Sequence, residues 1–246
     1  MRSLLLGLLV GFALCQVAQA VTTVYLHRAA AHRALALHPA AAAVLRVLTW
    51  ILTGIQPRQW VAVHRKHHAF TDVDGDPHSP LLEGFAMVQF ANVALYRRVA
   101  KDEAVVARYA RDLAPDRWDR ALFDRAWLGL AVGIAGLVVV FGPAAAAVAA
   151  VSHTVLYLFL SAAVNAVGHR YGAREHANTS TNNQWLAWLT MGEGLHNNHH
   201  AAPTSARLSF RRGQVDPGWW LVRALERVGW ATVRHREVKL KQPLRA

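Results

Sequence analysis

The chain has 246 residues, enough for one sizeable domain or a small membrane bundle. It is 54% hydrophobic and carries 27 Lys and Arg against 15 Asp and Glu. In a soluble chain that basic excess would suggest nucleic acid, but here membrane topology accounts for it. Cys15 is the one cysteine, which excludes an intrachain disulfide and a thiolate metal site of the zinc-finger kind.

Residues 3–26 form an apolar run long enough to span a bilayer, for which about 20 residues suffice. Arg2, the apolar core and Ala18-Gln19-Ala20 also imitate a secretory signal with a small-residue cleavage site. Apolar character continues to Leu26 and His27 follows at once, so a retained span is expected. His27 and His32 are five apart and do not share a face of a straight α-helix, so one of them is expected where the helix unwinds or ends. Residues 40–55 are apolar but short and include Arg46, which suits a helix lying at the interface.

The second histidine cluster is His64, His67 and His68 within residues 56–80. Asp72, Asp74, Asp76, Pro77 and Pro80 follow as a carboxylate-bearing loop. Residues 81–100 are amphipathic and end in Arg97-Arg98; residues 101–120 are charged and expected to be helical. Two apolar stretches, 121–142 and 144–168, flank Gly142-Pro143 and read as a membrane hairpin with a tight turn. Asn165 and His169 lie one turn apart at its end. Residues 169–246 are polar and basic and carry the third cluster, His196, His199 and His200. Pro217 to Trp230 mixes tryptophans with arginines as an interfacial amphipathic helix does.

Charge placement orients these pieces. Of the Lys and Arg residues, 13 lie between Arg28 and Arg120 and 12 from Arg170 onward, and the hairpin turn has none. The positive-inside rule then puts segments 27–120 and 169–246 in the cytosol, with Arg28, Arg33, Arg117, Arg120, Arg170 and Arg174 near span ends. Three spans, 3–26, 121–142 and 144–168, place every histidine cluster on one side. The fold class expected is an all-α integral membrane protein with a cytosolic helical cap, forming a single domain over 1–246.

Eight of the 14 histidines fall in these three clusters. Neutral imidazole suits iron, zinc, copper and nickel, and so many rings are too many for one ion, which implies a two-metal centre. Residues at i, i+3 and i+4 share a helix face, yet i+3 and i+4 diverge by roughly 100°. His67 and His68 can therefore share a face yet point at different ions, and so can His199 and His200.

The pattern His27…His32, His64…His67-His68, Asn165…His169 and His196…His199-His200 resembles the membrane-bound fatty acyl desaturases, specifically a bacterial-type member of the acyl-CoA, stearoyl-CoA-desaturase-like group. Asp76-Pro77-His78 and Gly192-Glu193-Gly194 match as well, and the resemblance runs from about residue 5 to 230. It implies a di-iron centre (two Fe2+) with His27, His32, His64, His68 and His200 on one iron. His67, His169, His196 and His199 would bind the other, with Asn165 acting through a water. It implies insertion of a cis double bond into a long-chain acyl substrate, with O2 as co-substrate and two electrons. The electrons would come from a separate donor, a ferredoxin, rubredoxin or cytochrome b5-like protein with its reductase. Asp72, Asp76 and Glu193 are expected to accept hydrogen bonds from ligand imidazole N–H groups, against the alternative that the aspartates cap a turn.

Two departures stand out. The family usually has two spans before its first box and this chain has one. Ala62 and Val63 stand where animal stearoyl-CoA desaturases carry Arg and Asp toward the CoA head group. Arg97 and Arg98 then become candidates for a nucleotide phosphate, or else face lipid; acyl-carrier protein or phospholipid remain rival carriers. Gly7, Gly11 and Cys15 either line a tunnel end or, the favoured reading, pack closely between spans. His153 is expected to be a packed polar residue, and His38, His78, His176 and His235 to lie in loops or at the surface, with His78 the best placed of them to support a metal ligand. The rival functions are a lipid hydroxylase or ketolase on the same centre and, remotely, a metal-transporting membrane protein.

Overall fold

The computed structural model describes residues 1–235 together with 238 and 240. Arg236, Lys239, Lys241 and Arg245, counted above with the basic C-terminal segment, lie outside the described residues. The first apolar run forms α1, Arg2–Val21, which continues into a π-helical segment, Thr22–Ala31. Together they make a 30-residue apolar helix, long enough to cross a bilayer. A second such helix is α7, Ala126–Ala166, which breaks at Gly142 (φ 76°, ψ 163°) just before Pro143. Only glycine adopts that backbone readily, and the proline ring cannot continue the preceding turn.

The break reverses the chain. On the arm before it, Gly129 and Gly133 sit against the backbone carbonyls of Trp50 and Ile51. On the arm after it, His153 Nε2–H donates to the Leu52 carbonyl at 2.7 Å. Both arms thus meet the same end of α2, Pro39–Thr53, as a hairpin would. α7 begins at Ala126; the residues expected at the start of that span form a separate π-helical turn, Asp119–Phe123. α1 runs parallel to the 143–166 arm, with Gly7 facing Ala145 and Val148 and Gly11 facing Ala149 and Ser152. Away from these contacts Leu5, Leu9, Phe12, Val139 and Val140 are exposed, as a lipid-facing surface requires.

Helix α2 is capped at its start by His38, whose Nδ1 accepts the Ala40 N–H at 3.2 Å, and ends at Gly54 in the left-handed region. α3, Pro57–Phe70, leaves at 86°, so the two are not one straight span. Arg46, inside the apolar α2, binds Asp116 in a fork at 2.8 and 3.0 Å, pairs with Asp119 and lies over the Phe123 ring. The cap follows with α4, Phe85–Phe90, α5, Asn92–Ala100, and α6, Glu103–Tyr109. After the hairpin come α8, Gln184–Leu189, α9, His196–Ala201, and α10, Pro217–Arg227. A short antiparallel pair, β1 Leu35–Leu37 with β2 Ala231–Val233, joins the two halves in the register Leu35 to Val233.

Arg28, near the end of the first apolar helix, turns inward: it is 1% exposed and paired with Asp216. Its side chain was long enough to turn inward, where an acid from the far end of the chain waits.

Candidate metal centre

The first cluster owes its shape to the π-helical turn. There the His32 N–H donates to the His27 carbonyl at 3.0 Å, five residues back, and the helix ends at His32. The widened turn brings two residues five apart onto one side, with ring centroids 4.8 Å apart. α3 then supplies His64 and His68 on one face and His67 on the next, and α9 supplies the third cluster.

The rings converge in two groups, His27, His32, His64, His68 and His199, and His67, His169, His196 and His200, each with its nitrogens within 4.8 Å of one another. His199 and His200 are therefore the reverse of the expected assignment. Consecutive helical residues must diverge, but which of them meets which group depends on how α9 enters the site, and spacing carries no record of that. His199 Nε2 lies 3.0 Å from His27 Nε2 and 2.9 Å from His68 Nε2; His200 Nε2 lies 3.1 Å from His196 Nε2 and 3.3 Å from His67 Nε2. Asn165 lines a cavity that His196 of the second group also borders.

Three carboxylates grip the outer sides of these rings. His27 Nδ1–H donates to Glu193 at 2.8 Å, His67 Nδ1–H to Asp76 at 3.0 Å, and His169 Nδ1–H to Asp72 at 2.7 Å. Each bond fixes a tautomer and leaves a bare lone pair on Nε2 pointing inward. The His169 Nε2 is buried with no hydrogen-bond partner. A buried lone pair left without a donor in a dry site is costly unless a cation meets it, so the donor set fits metal ions.

Electrostatics agree. Burial and then neighbouring imidazoles push the pKa values of His32, His64, His68, His196, His199 and His200 well below 6.5, keeping them neutral as ligands must be. Burial would raise the Asp72, Asp76 and Glu193 carboxyls, but bonds from His169, His67 and His27 outweigh it and hold all three below their ordinary values. Asp72 caps no helix: it sits at φ 59° and also accepts Ser79 and Thr179 hydroxyls.

The centre opens on a cavity of about 670 Å³. His27, His64 and His196 border it on one side and Leu130, Leu158 and Tyr157 on another. Trp60, also in the lining, stacks on His64 at 4.8 Å. The family model for fatty acid desaturases matches residues 3–224. The chain belongs to the fatty acid desaturase family.

Among similar proteins, the acyl-CoA C20 Delta5-desaturase of Anemone leveillei is 37% identical over 72% of this chain and 56% of its own length. The Delta-9 desaturase-like 5 protein of Arabidopsis thaliana is 34% identical over 90% of this chain and 74% of its own. The sn-1 stearoyl-lipid 9-desaturase of Anabaena variabilis is 31% identical over 72% and 64%. The chain spans little more than half the length of the two Anemone proteins, 56% and 55%.

Elsewhere in this desaturase-family chain, Gly7 and Gly11 make helix contacts and border no part of the cavity. Ala62 and Val63 are buried, Val63 against the cavity. Arg97 lines the cavity with Lys101, whereas Arg98 pairs with Glu83. His153 is packed; His176 is a half-buried loop residue and His235 is exposed. His78 lies in a loop, as expected, but is buried there: it stacks on His67 at 4.7 Å, and burial pushes its pKa down to about 3. His78 also lies beside Asp76, but the His67 Nδ1–H bond to that carboxylate makes the trio a support for His67.

Several supports went unread in the sequence. Asn197 accepts the Glu175 and His176 N–H groups at 2.8 and 2.7 Å and donates to Asn178 and Ser180, pinning loop 173–182 around α9. Asn198 donates to the Leu208 carbonyl and Gln214. Two amides between metal-ligand candidates were the available signal. Arg28 and Asp216 offered none, being 188 residues apart.

Proposed function

We propose that the chain is a fatty acyl desaturase that inserts a cis double bond into a long-chain acyl substrate, using O2 and two electrons. The observation that carries this reading is two adjacent imidazole groups opening on a largely apolar cavity. At about 670 Å³ the cavity is in the range of ligand pockets, roughly 300–1,000 Å³. An alkyl C–H has no usable acidity, so no side chain here can remove its proton. Two iron ions, when bound, would activate O2, which is the oxidant for hydrogen abstraction.

The protein's own residues do the rest. His27, His32, His64, His68 and His199 would hold one ion, and His67, His169, His196 and His200 the other, with Asn165 beside the second. Glu193, Asp76 and Asp72 keep ring tautomers fixed so that lone pairs face inward. Trp60, Val63, Leu130, Leu158 and Val164 line the path of an acyl chain and exclude water from it. Tyr157 and Thr22 bond to each other at 2.7 Å and so spend their polarity on one another within that wall.

Acyl-CoA is the carrier we favour. Arg97 and Lys101 give the cavity wall the positive charge a phosphate ester needs, and the Anemone relatives are named as acyl-CoA desaturases. The basic segments argue for a cytosolic site. The two electrons would come from a separate donor protein.

Expression in a host lacking its own desaturase, with mass spectrometry of double-bond position, tests this reading. New unsaturated acyl chains are expected. Alcohols without double bonds, or no new product with electron donors supplied, would refute it.

A further inference from the structure

The residue after His27 is enclosed and fully bonded. Arg28 Nη2 and Nη1 donate to Asp216 Oδ1 and Oδ2 at 2.7 and 3.2 Å. Nη1 also donates to the Ala206 carbonyl at 2.7 Å and Nη2 to the Met191 carbonyl at 3.3 Å. Nε donates to Thr23 Oγ1 at 3.1 Å. All five guanidinium N–H groups are thereby used. Thr23, accepting from Arg28, turns its own proton to Glu193 Oε1, the same oxygen that accepts His27 Nδ1–H.

The other end of this chain of bonds is a helix start. Asp216 is 1% exposed and accepts the Leu208 N–H at 2.8 Å and the Trp219 N–H at 2.9 Å, capping α10. The chamber is cut to fit. A Cβ at Gly192 would lie 2.2 Å from Asp216 Oδ1, and one at Gly218 would lie 2.8 Å from Arg28 Nη2. One continuous path, from Asp216 through Arg28, Thr23 and Glu193 to His27, links the amphipathic α10 to the first histidine group.

We propose that Arg28, Thr23 and Asp216 are positioning residues for the first histidine group, fixing the Glu193 carboxylate that orients His27 and tying it to the seating of α10. The proposal rests on the metal-centre reading above. Without the Thr23 hydroxyl, Glu193 loses a donor and Arg28 Nε–H loses its acceptor in a dry chamber. Glu193 then no longer presents one oxygen to His27. A purely structural ion pair would instead affect both histidine groups alike, through the stability of the whole fold.

The test uses the full chain in detergent, stripped of metal and titrated with Co(II), read by visible absorption and by cobalt retained per chain. His32→Ala and His169→Ala mark which signal belongs to which group. Thr23→Val keeps the shape without the hydroxyl, Thr23→Ser keeps the hydroxyl, and Arg28→Lys keeps the charge without the fork. Wild type and Thr23→Ser are expected to take up two ions alike. Thr23→Val and Arg28→Lys are expected to weaken the first-group ion by about ten- to a hundredfold and leave the second in place. Equal loss at both groups, or wild-type binding in both variants, overturns the proposal. A wild-type chain that takes up no Co(II) instead removes the metal-centre reading, and this inference with it.

Discussion

The carboxylate of Asp76 accepts the backbone N–H of Asp72 at 2.8 Å, so the two acids that hold the second histidine group are themselves joined. Asp76 grips His67 and Asp72 grips His169. Asp72 stands at φ 59°, a conformation an L-residue holds only when its surroundings require it. Asp76 thus orients one ring directly and a second through its neighbour's backbone.

Replacing Asp76 by Asn puts an NH2 group in place of one carboxylate oxygen, where it faces the Asp72 or the His78 backbone N–H. Second-group Co(II) affinity is expected to fall by about ten- to a hundredfold, and Asp72→Asn is expected to act in the same direction. The double variant should lose less than the sum of the two, because Asp72 is already misplaced once Asp76 is changed. Additive losses in the titration would show the two acids to be energetically independent.

Asp112 is expected to support the first group from the other side of the cap. Arg65 donates to the carbonyls of Ala30 and Ala31 at 2.8 and 2.9 Å, where the π-helical turn ends, and to Tyr109 at 2.9 Å. Asp112 holds Arg65 in that place and also binds Arg33. Asp112→Asn should cost about 1–2 kcal/mol, since the bonds are charge-assisted but partly exposed. Hydrogen bonds from Arg65, then Arg33, outweigh burial and hold the folded carboxyl well below its ordinary value of 3.8. A depressed carboxyl stabilises fully above the unfolded pKa and loses that contribution only as pH falls below it. The gap in thermal midpoint between wild type and Asp112→Asn should therefore stay constant from about pH 5 to 8. A gap that closes inside that window would assign the effect to another group.

The histidine spacing of this chain made much of the centre legible, because spacing on a helix translates directly into faces. Gly142-Pro143 was legible for the same local reason, as a backbone that cannot stay helical. What spacing could not carry was the meeting of distant segments. The sorting of His199 from His200 depends on the direction in which α9 enters. The inward turn of Arg28 depends on Asp216, and the partners of Arg46 lie some 70 residues on. The π-helical turn falls between these cases: a five-residue gap between His27 and His32 required an irregular helix but did not say that it would widen before it ended. His78 lies in a loop as read, but nothing local distinguishes a loop histidine that stacks on His67 from one in water.

Metal removal should cost the fold stability. Three inward Nε2 lone pairs are fixed by their own Nδ1–H bonds to carboxylates, so none of these three rings can donate inward when no cation is present. Chelation is expected to lower the thermal midpoint and Co(II) to restore it in a concentration-dependent way. A ligand at a hundred times its Kd contributes about 2.7 kcal/mol. The same midpoint with and without chelator would mean the histidine groups stand as they are, unaided by a cation.

The small residues of α1 should set stability and leave chain length alone. A Cβ at Gly11 would lie 1.9 Å from Ser152 Oγ and 2.8 Å from the Ala149 carbonyl, and one at Gly7 would lie 2.8 Å from the Ala145 carbonyl. The serine can rotate away, but a helix carbonyl cannot, so any side chain there drives α1 from the 143–166 arm. Overpacking costs about 1–3 kcal/mol where the surroundings yield, and backbone contacts yield least. Neither glycine borders the cavity, whereas Leu130 does. Gly11→Phe is thus expected to lower the thermal midpoint in detergent and reduce every unsaturated product in proportion. Leu130→Trp, which fills the cavity from its wall, is expected to favour shorter acyl chains at near-wild-type stability. A changed chain-length profile in Gly11→Phe, with the midpoint unmoved, would place the end of the acyl path against α1.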